Sequence, residues 1–272
     1  MPASLNEIVT ATRRRVAEIK PATDLRQLDR QAGNHDPRGF RRSLESASAN
    51  GIAVIAELKR ASPSRGLIRS DFDPASLATE LESAGATALS VLTDAEFFQG
   101  ALENLRRASA NTMLPCLRKD FIVDEFQLLE ARANGADAVL LIVAALSPAE
   151  LTLLARRAGE YNLDVLCEVH DEEELQRAVV AGCTLIGVNN RNLRTFKVDL
   201  ETSMRLANSI PGNAFSVAES GIHTGADVAR LRTAGYHAFL IGESLMKATS
   251  PGEALRALLA DAQRESQALV RK

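Results

Sequence analysis

At 272 residues, 46% hydrophobic and 25% charged, the chain can bury one large core and lies near the upper end of a single domain. A formal net charge of -3 gives no overall basic field, which argues against a nucleic-acid partner and reads Arg13, Arg14 and Arg15 as the wet face of a helix. With no secretory pattern at the N-terminus and no window near the ~18 apolar residues of a membrane span, a soluble, cytoplasmic protein with no membrane partner is expected.

The first predicted element is an amphipathic helix over 4–20. Ser4 and Glu7 form a capping-box pattern, Leu5, Ile8, Val9, Val16 and Ile19 make the apolar stripe, and Pro21 comes next. A second helix is expected over 37–49, with Phe40 and Leu44 inward. Both precede the first strand, so residues 1–50 read as an N-terminal helical extension that packs against the rest of the chain, residues 51–272.

The run GIAVIAELKRASPSRG, starting at Gly51, is read as a buried strand that ends in chemistry. Its many β-branched residues suit a strand covered on both faces, and side-chain alternation puts Ile55, Glu57 and Lys59 on one face. Two charges then point inward. An internal Glu57–Lys59 salt bridge would satisfy both, and an active site would use both.

From there short apolar runs alternate with helical ones. Strands are predicted over 52–58, 88–92, 113–117, 138–142, 165–169, 185–188, 214–218 and 238–241. Helices are predicted over 74–84, 102–110, 125–134, 148–161, 172–181, 200–208 and 226–234, with a last one after Gly252. Strict alternation implies parallel strands joined by crossover helices, and eight such units close into a (β/α)8 barrel, an α/β TIM barrel carrying the helical extension. An internal repeat supports the count: Gly85, Gly135, Gly182 and Gly235 each follow a predicted helix, two βα units apart, where a C-cap favours a left-handed residue. Cys116, Cys167 and Cys183 are odd in number and widely spaced, which suits reduced thiols; Cys167 and His170 alone are too few ligands for zinc.

In such a barrel the active site lies at the C-terminal strand ends. The odd strands end in Glu57 and Lys59, in Lys119, in Glu168, and in Glu219 followed by Ser220, and the sixth adds Asn189. Side chains of one barrel layer come from alternate strands, so these charges are expected to form one ring around the mouth. The loops after strands seven and eight carry Gly221 and Gly242, which allow close approach of a phosphate to backbone N–H groups. Glu243 is expected to turn its carboxylate away while its N–H donates, and the Ser62-Pro63-Ser64 turn to help close the site.

The blocks IAELKRASPS, VLTDAEFFQG, CLRKDFI, LCEVH, IGVNNRNL, VAESGI and IGESLM occur in this order, and with them the sequence resembles the indole-3-glycerol phosphate synthase family of tryptophan biosynthesis along nearly the whole chain. The resemblance implies a carboxy-lyase acting on a small phosphorylated substrate, 1-(2-carboxyphenylamino)-1-deoxyribulose 5-phosphate, which is cyclised with loss of carbon dioxide and water. It implies Lys119 as general acid for ring closure, Glu168 as a nearby acid or base, and Lys59 and Glu57 holding the carboxylate region and serving in dehydration. Asn189, Arg191, Glu219 and Ser220 match positions that orient substrate, Gly221, Gly242 and Glu243 match phosphate loops, and Phe98 and Phe121 match apolar positions flanking the aromatic ring. Ring closure leaves an iminium β to the carboxylate, an electron sink built into the substrate, so no pyridoxal, thiamine or metal is required. Carboxylates beside the two lysines favour charged ammonium groups, which suit an acid or a clamp better than an imine-forming amine.

Three alternatives stay open on sequence: a Schiff-base aldolase using Lys59 or Lys119, the sister phosphoribosylanthranilate isomerase, and a catalytically silent barrel serving as a scaffold. Association with other tryptophan-pathway enzymes is a further expectation of the resemblance.

Overall fold

The computed structural model describes residues 3–193 and 195–270, so the outer ends of both predicted segments, 1–2 and 271–272, lie outside the described residues. Eight parallel strands close into a barrel: β1 (Ala53–Leu58), β2 (Ala88–Leu92), β3 (Cys116–Lys119), β4 (Ala138–Ile142), β5 (Asp164–Val169), β6 (Leu185–Asn189), β7 (Phe215–Glu219) and β8 (Ala238–Ile241). They pair in chain order, and β1 closes the ring by pairing on one side with β2, Ile55 opposite Ala88, and on the other with β8, Ile55 opposite Leu240. The period-2 alternation divides each strand between two cores. Ile55, Leu117, Leu140, Leu166, Val217 and Leu240 fill the barrel interior, while Val54, Leu89, Val139, Cys167 and Val188 face the surrounding helices.

The expected extension is present and has three helices: α1 (Leu5–Ile19), α2 (Leu25–Gly33) and α3 (Phe40–Asn50). Helix α1 starts at the capping box read from sequence, with Ser4 N–H donating to Glu7 Oε2 at 2.6 Å and Ser4 Oγ accepting from Glu7 N–H. Helix α2 is absent from the sequence expectation: its single buried residue is Ala32, so it leaves almost no apolar stripe to read. Helix α3 buries Phe40 and Leu44 completely within the same cluster as the barrel interior. Each such burial stabilises by about 1.5–3 kcal/mol. Around this plug, Arg38 donates to Asp137 Oδ2 at 2.7 Å and the Arg41 N–H to Asp164 Oδ2 at 2.9 Å, both at the N-terminal edges of barrel strands. That end of the barrel is closed, which leaves the opposite rim for chemistry.

The four repeat glycines do occupy left-handed backbone after helices, with φ of 96°, 81°, 81° and 106°. One strand departs from the reading: the third starts three residues later than 113–117, because Met113 is 80% exposed and Pro115 has no N–H to donate to a ladder. Lys119 is therefore the last residue of β3 rather than a residue beyond it. Among the described residues no helix is long and apolar enough to cross a membrane.

Candidate active site

The C-terminal ends of the strands surround a cleft of about 220 Å³, and every predicted site residue lines it. The alternation that places Ile55 in the barrel interior carries Glu57 and Lys59 upward along the same face, and Leu117 and Leu166 are followed in the same way by Lys119 and Glu168. Glu57, Glu168 and Glu219 are all under 5% exposed. Lys119 Nζ lies 3.0 Å from Glu168 Oε2 and 3.8 Å from Glu219 Oε2. Lys59 donates to Glu57 Oε1 at 2.5 Å, so the two sequence readings of that pair coincide: it is an internal salt bridge and it faces the cleft.

Two glycines make room for this ring. A β-carbon at Gly187 on β6 would overlap Glu219 Oε1, and one at Gly242 would stand 2.6 Å from Glu57 Oε1. Gly242 thus gives space to the buried Glu57 carboxylate as well as forming part of the loop after β8.

Burial and crowding give the four charges different characters. Burial penalises the Lys119 ammonium, yet Glu168, Glu219 and Glu57 hold it well above the ordinary lysine range. Burial also penalises the Glu57 carboxylate, but Lys59 and Lys119 keep it below the usual carboxylate range. Glu168 is likewise desolvated and is held far down by Lys119 and His170. Glu219 goes the other way: burial, the Glu168 charge and the Glu57 charge outweigh the more distant Lys119 and push it up to about 8. Of the two carboxyl groups beside Lys119, Glu168 is held toward its anion and Glu219 is pushed toward its protonated form.

On one wall, Phe98 ends a short helix (Ala95–Phe98) capped by Asp94 and meets Phe121, with ring centroids 6.2 Å apart and planes tilted by 39°. Both rings face the cleft and already touch each other, so together they form one aromatic wall against which a further ring can pack. At the other end, Ser220 and Gly221 have φ of 65° and 80°, and a short helix (Glu243–Lys247) starts directly after Gly242. Asn189 Oδ1 accepts from the Arg191 N–H at 3.0 Å and fixes that loop. Ser62 sits on a small hairpin, Ala61–Ser62 with Gly66–Leu67, that borders the cleft.

Glu243 does not turn away as expected. Its carboxylate receives Lys247 Nζ at 2.6 Å and Arg65 Nε at 3.2 Å on Oε1, and Arg191 Nη2 at 3.4 Å on Oε2. Three cations converge on it; Lys247 and Arg65, together with the Lys59 charge, hold its carboxyl below the usual range despite burial. Their positive charge offsets the negative charge of the carboxylate at this end of the cleft.

Sequence reading missed Leu5 and Ile8 of α1, which form part of the cleft wall, and Arg65. The stripe on α1 was legible, but nothing local says which part of it faces a cavity. It also treated His170 only as half of a metal pair. Cys167 belongs to the outer core while His170 sits beside Glu168, so the two side chains diverge; among the described residues no three His, Cys, Asp or Glu are grouped as a metal would need.

Comparison with solved structures returns the same architecture in distant proteins. A thiamine phosphate pyrophosphorylase from Pyrococcus furiosus superposes with a TM-score of 0.60 at 16% identity, covering 79% of this chain and 96% of that one. A mandelate oxidase mutant gives 0.60 at 14% identity, covering 89% and 94%. These show the fold alone. Sequence relatives are much nearer. The indole-3-glycerol phosphate synthase of Koribacter versatilis (strain Ellin345) is 58% identical over 95% of this chain and 100% of its own length. That of Leptothrix cholodnii (strain ATCC 51168 / LMG 8142 / SP-6) is 48% identical over 94% and 98%. The family model for indole-3-glycerol phosphate synthase matches residues 5–258. Through that match and those identities, the chain belongs to the indole-3-glycerol phosphate synthase family.

Proposed function

We propose that the ring of buried charges divides the three steps of the family's reaction among named residues. The enzyme is a carboxy-lyase of tryptophan biosynthesis that converts 1-(2-carboxyphenylamino)-1-deoxy-D-ribulose 5-phosphate to indole-3-glycerol phosphate, carbon dioxide and water. In the first step the ring carbon bearing the carboxylate attacks the sugar ketone, and Lys119 gives a proton to the ketone oxygen as it becomes a hydroxyl. The iminium left on the anilino nitrogen then accepts the electrons released when the carboxylate departs as carbon dioxide. In the last step a base takes a proton from the new five-membered ring while an acid protonates the hydroxyl, which leaves as water.

The observation that carries this reading is the Lys119 ammonium, 3.0 Å from Glu168 at the base of the cleft and flanked by three buried carboxyl groups. Its firm positive charge supports an acid and disfavours an imine-forming amine. Glu168, an anion at rest, accepts the ring proton and can pass it back to Lys119, and Lys59 with Glu57 binds the substrate carboxylate and serves in dehydration. Asn189, Arg191, Glu219, Ser220 and Ser62 orient the substrate, Phe98 and Phe121 flank its ring, and Gly221, Gly242 and Glu243 form the phosphate end.

We also propose that residues 1–50 and 51–272 fold as one domain, which the shared core of Phe40, Leu44 and the barrel interior supports. A cytoplasmic location suits the free thiols Cys116, Cys167 and Cys183. Work alongside the other enzymes of tryptophan biosynthesis rests on the shared pathway alone.

The test is Lys119→Ala, assayed by the rise of indole fluorescence on adding the carboxyphenylamino deoxyribulose phosphate to purified enzyme. Turnover is expected to fall roughly 10²- to 10⁴-fold with the fold intact. Near-normal turnover would remove Lys119 from the mechanism.

A further inference from the structure

His170 is partly buried and titratable, and nothing in the mechanism above uses it. The β5 alternation that points Leu166 and Glu168 into the barrel brings His170 to the same side, one step nearer the rim. Glu168 faces the cleft, whereas His170 lies behind it, outside the cleft lining, with 12% of its side chain exposed. The ring is fixed by Glu174, from the first turn of the next helix (Glu172–Val180). Glu174 Oε2 lies 2.9 Å from His170 Nδ1 and also accepts the His170 backbone N–H at 2.8 Å, so one carboxylate oxygen holds both ring and main chain. This assigns the Nδ1 proton as the donor toward Glu174. The other ring nitrogen, Nε2, is buried with no aligned hydrogen-bond partner and stands 3.4 Å from Glu168 Oε1, an ion-pair distance.

Glu168 is therefore gripped at both oxygens: Lys119 on Oε2 from inside the cleft, and His170 on Oε1 from behind it. The charged groups that act on His170 are Glu168 on its own strand and Glu174 on the following helix. We propose that His170, held by Glu174, is a positioning residue of the reaction, clamping the Glu168 carboxylate so that its other oxygen stays on Lys119.

The electrostatics agree with the geometry. Burial disfavours a charged imidazole, but the two carboxylates more than offset this and raise His170 to about 10, so the ring is a fixed cation at neutral pH. Two close cations explain why Glu168 is the anion of its pair with Glu219, and why the proton they hold between them resides on Glu219. Removing the imidazolium takes positive charge away from both carboxyl groups. Their shared proton should then leave at higher pH and be less firmly assigned to Glu219, and Glu168 should be free to swing from Lys119.

This inference rests on the reading of Glu168 as part of the catalytic ring, and three measurements keep the two separable. In the unaltered enzyme, NMR of the His170 ring should show an imidazolium through pH 8; a ring that titrates near the ordinary histidine value would overturn the proposal. In His170→Gln, kcat should fall about 10- to 100-fold, the cost of a misplaced catalytic group, with KM changed less than about threefold because His170 does not line the cleft. The glutamate carboxyl titration near pH 8, followed by carbon-13 NMR, should move up by roughly half to one unit. Glu174→Gln should shift the same titration in the same direction by less. An unshifted titration and an unchanged kcat in His170→Gln would sink the proposal even if that variant lost stability, and should it not fold at all, the ring titration of the unaltered enzyme decides. Glu168→Gln is the control: if it retains normal turnover, the catalytic reading of Glu168 fails; if it is inactive while His170→Gln matches wild type, only the positioning role fails.

Discussion

Gly187 on β6 leaves the space that the carboxylate of Glu219 on β7 fills, since a β-carbon at Gly187 would overlap Glu219 Oε1. The relation ties a residue with no chemistry of its own to the placement of one that carries a proton. Gly187→Ala is expected to displace Glu219 from beside Lys119 and lower turnover by about 10- to 100-fold, at a cost of roughly 1–3 kcal/mol in stability from overpacking. Indole fluorescence and urea unfolding measure the two effects, and a fully active, fully stable Gly187→Ala enzyme would show that the carboxylate has room elsewhere.

Glu219 also makes stability depend on pH. Its folded value, about 8, lies above the ordinary 4.5, so the folded state keeps a proton that the unfolded chain has lost. The stabilisation this represents is complete below pH 4.5 and is lost as pH rises through 8. Relative to Glu219→Gln, which titrates in neither state, wild type should lose on the order of 2–4 kcal/mol between pH 4.5 and 8. Urea midpoints of both proteins at several pH values test this; parallel curves would mean that Glu219 is ionised in the fold.

The closed end of the barrel depends on Phe40. It is completely buried in the barrel's inner cluster, so Phe40→Ala should cost about 3–5 kcal/mol by leaving a cavity under the strands. Because Phe40 lies at the end opposite the rim and does not line the cleft, turnover of the folded fraction should stay near wild type provided the strand ends keep their positions, which is what places the reacting groups. Thermal unfolding beside an activity assay at low temperature separates these effects, and equal stability would place α3 outside the core.

Arg191, which pairs with Glu243 and whose loop is fixed by Asn189, belongs to the proposed phosphate end. Arg191→Ala should raise KM about 10- to 100-fold, the worth of a charge-assisted contact of about 1.5–3 kcal/mol, with a smaller effect on kcat. Inhibition by inorganic phosphate should weaken in parallel. A variant with unaltered KM and unaltered phosphate inhibition would move the phosphate away from this loop.

Much of this was legible locally. The capping box at Ser4, the strand that carries Glu57 and Lys59, and the left-handed glycines after alternate helices are short-range patterns, and each stands where it was expected. The third strand was misplaced because Met113 and Leu114 are apolar yet lie outside the ladder, and helix α2 was missed because it buries almost nothing. The site residues were legible as charges at strand ends, where a core would refuse them. The cations gathered on Glu243 were not, because Arg65, Arg191 and Lys247 approach it from three different segments.

The sequence by itself determined the barrel, its helical extension and which polar side chains stand at its rim, because strand alternation and helix capping are set by residues a few positions apart. Only the tertiary structure decided how those side chains differ: Glu168 gripped by Lys119 and His170, Glu219 left to keep a proton, and α1 turned so that Leu5 and Ile8 wall the cleft. Protonation and orientation depend on charge and burial summed over neighbours distant in the chain, and folding alone brings those neighbours together.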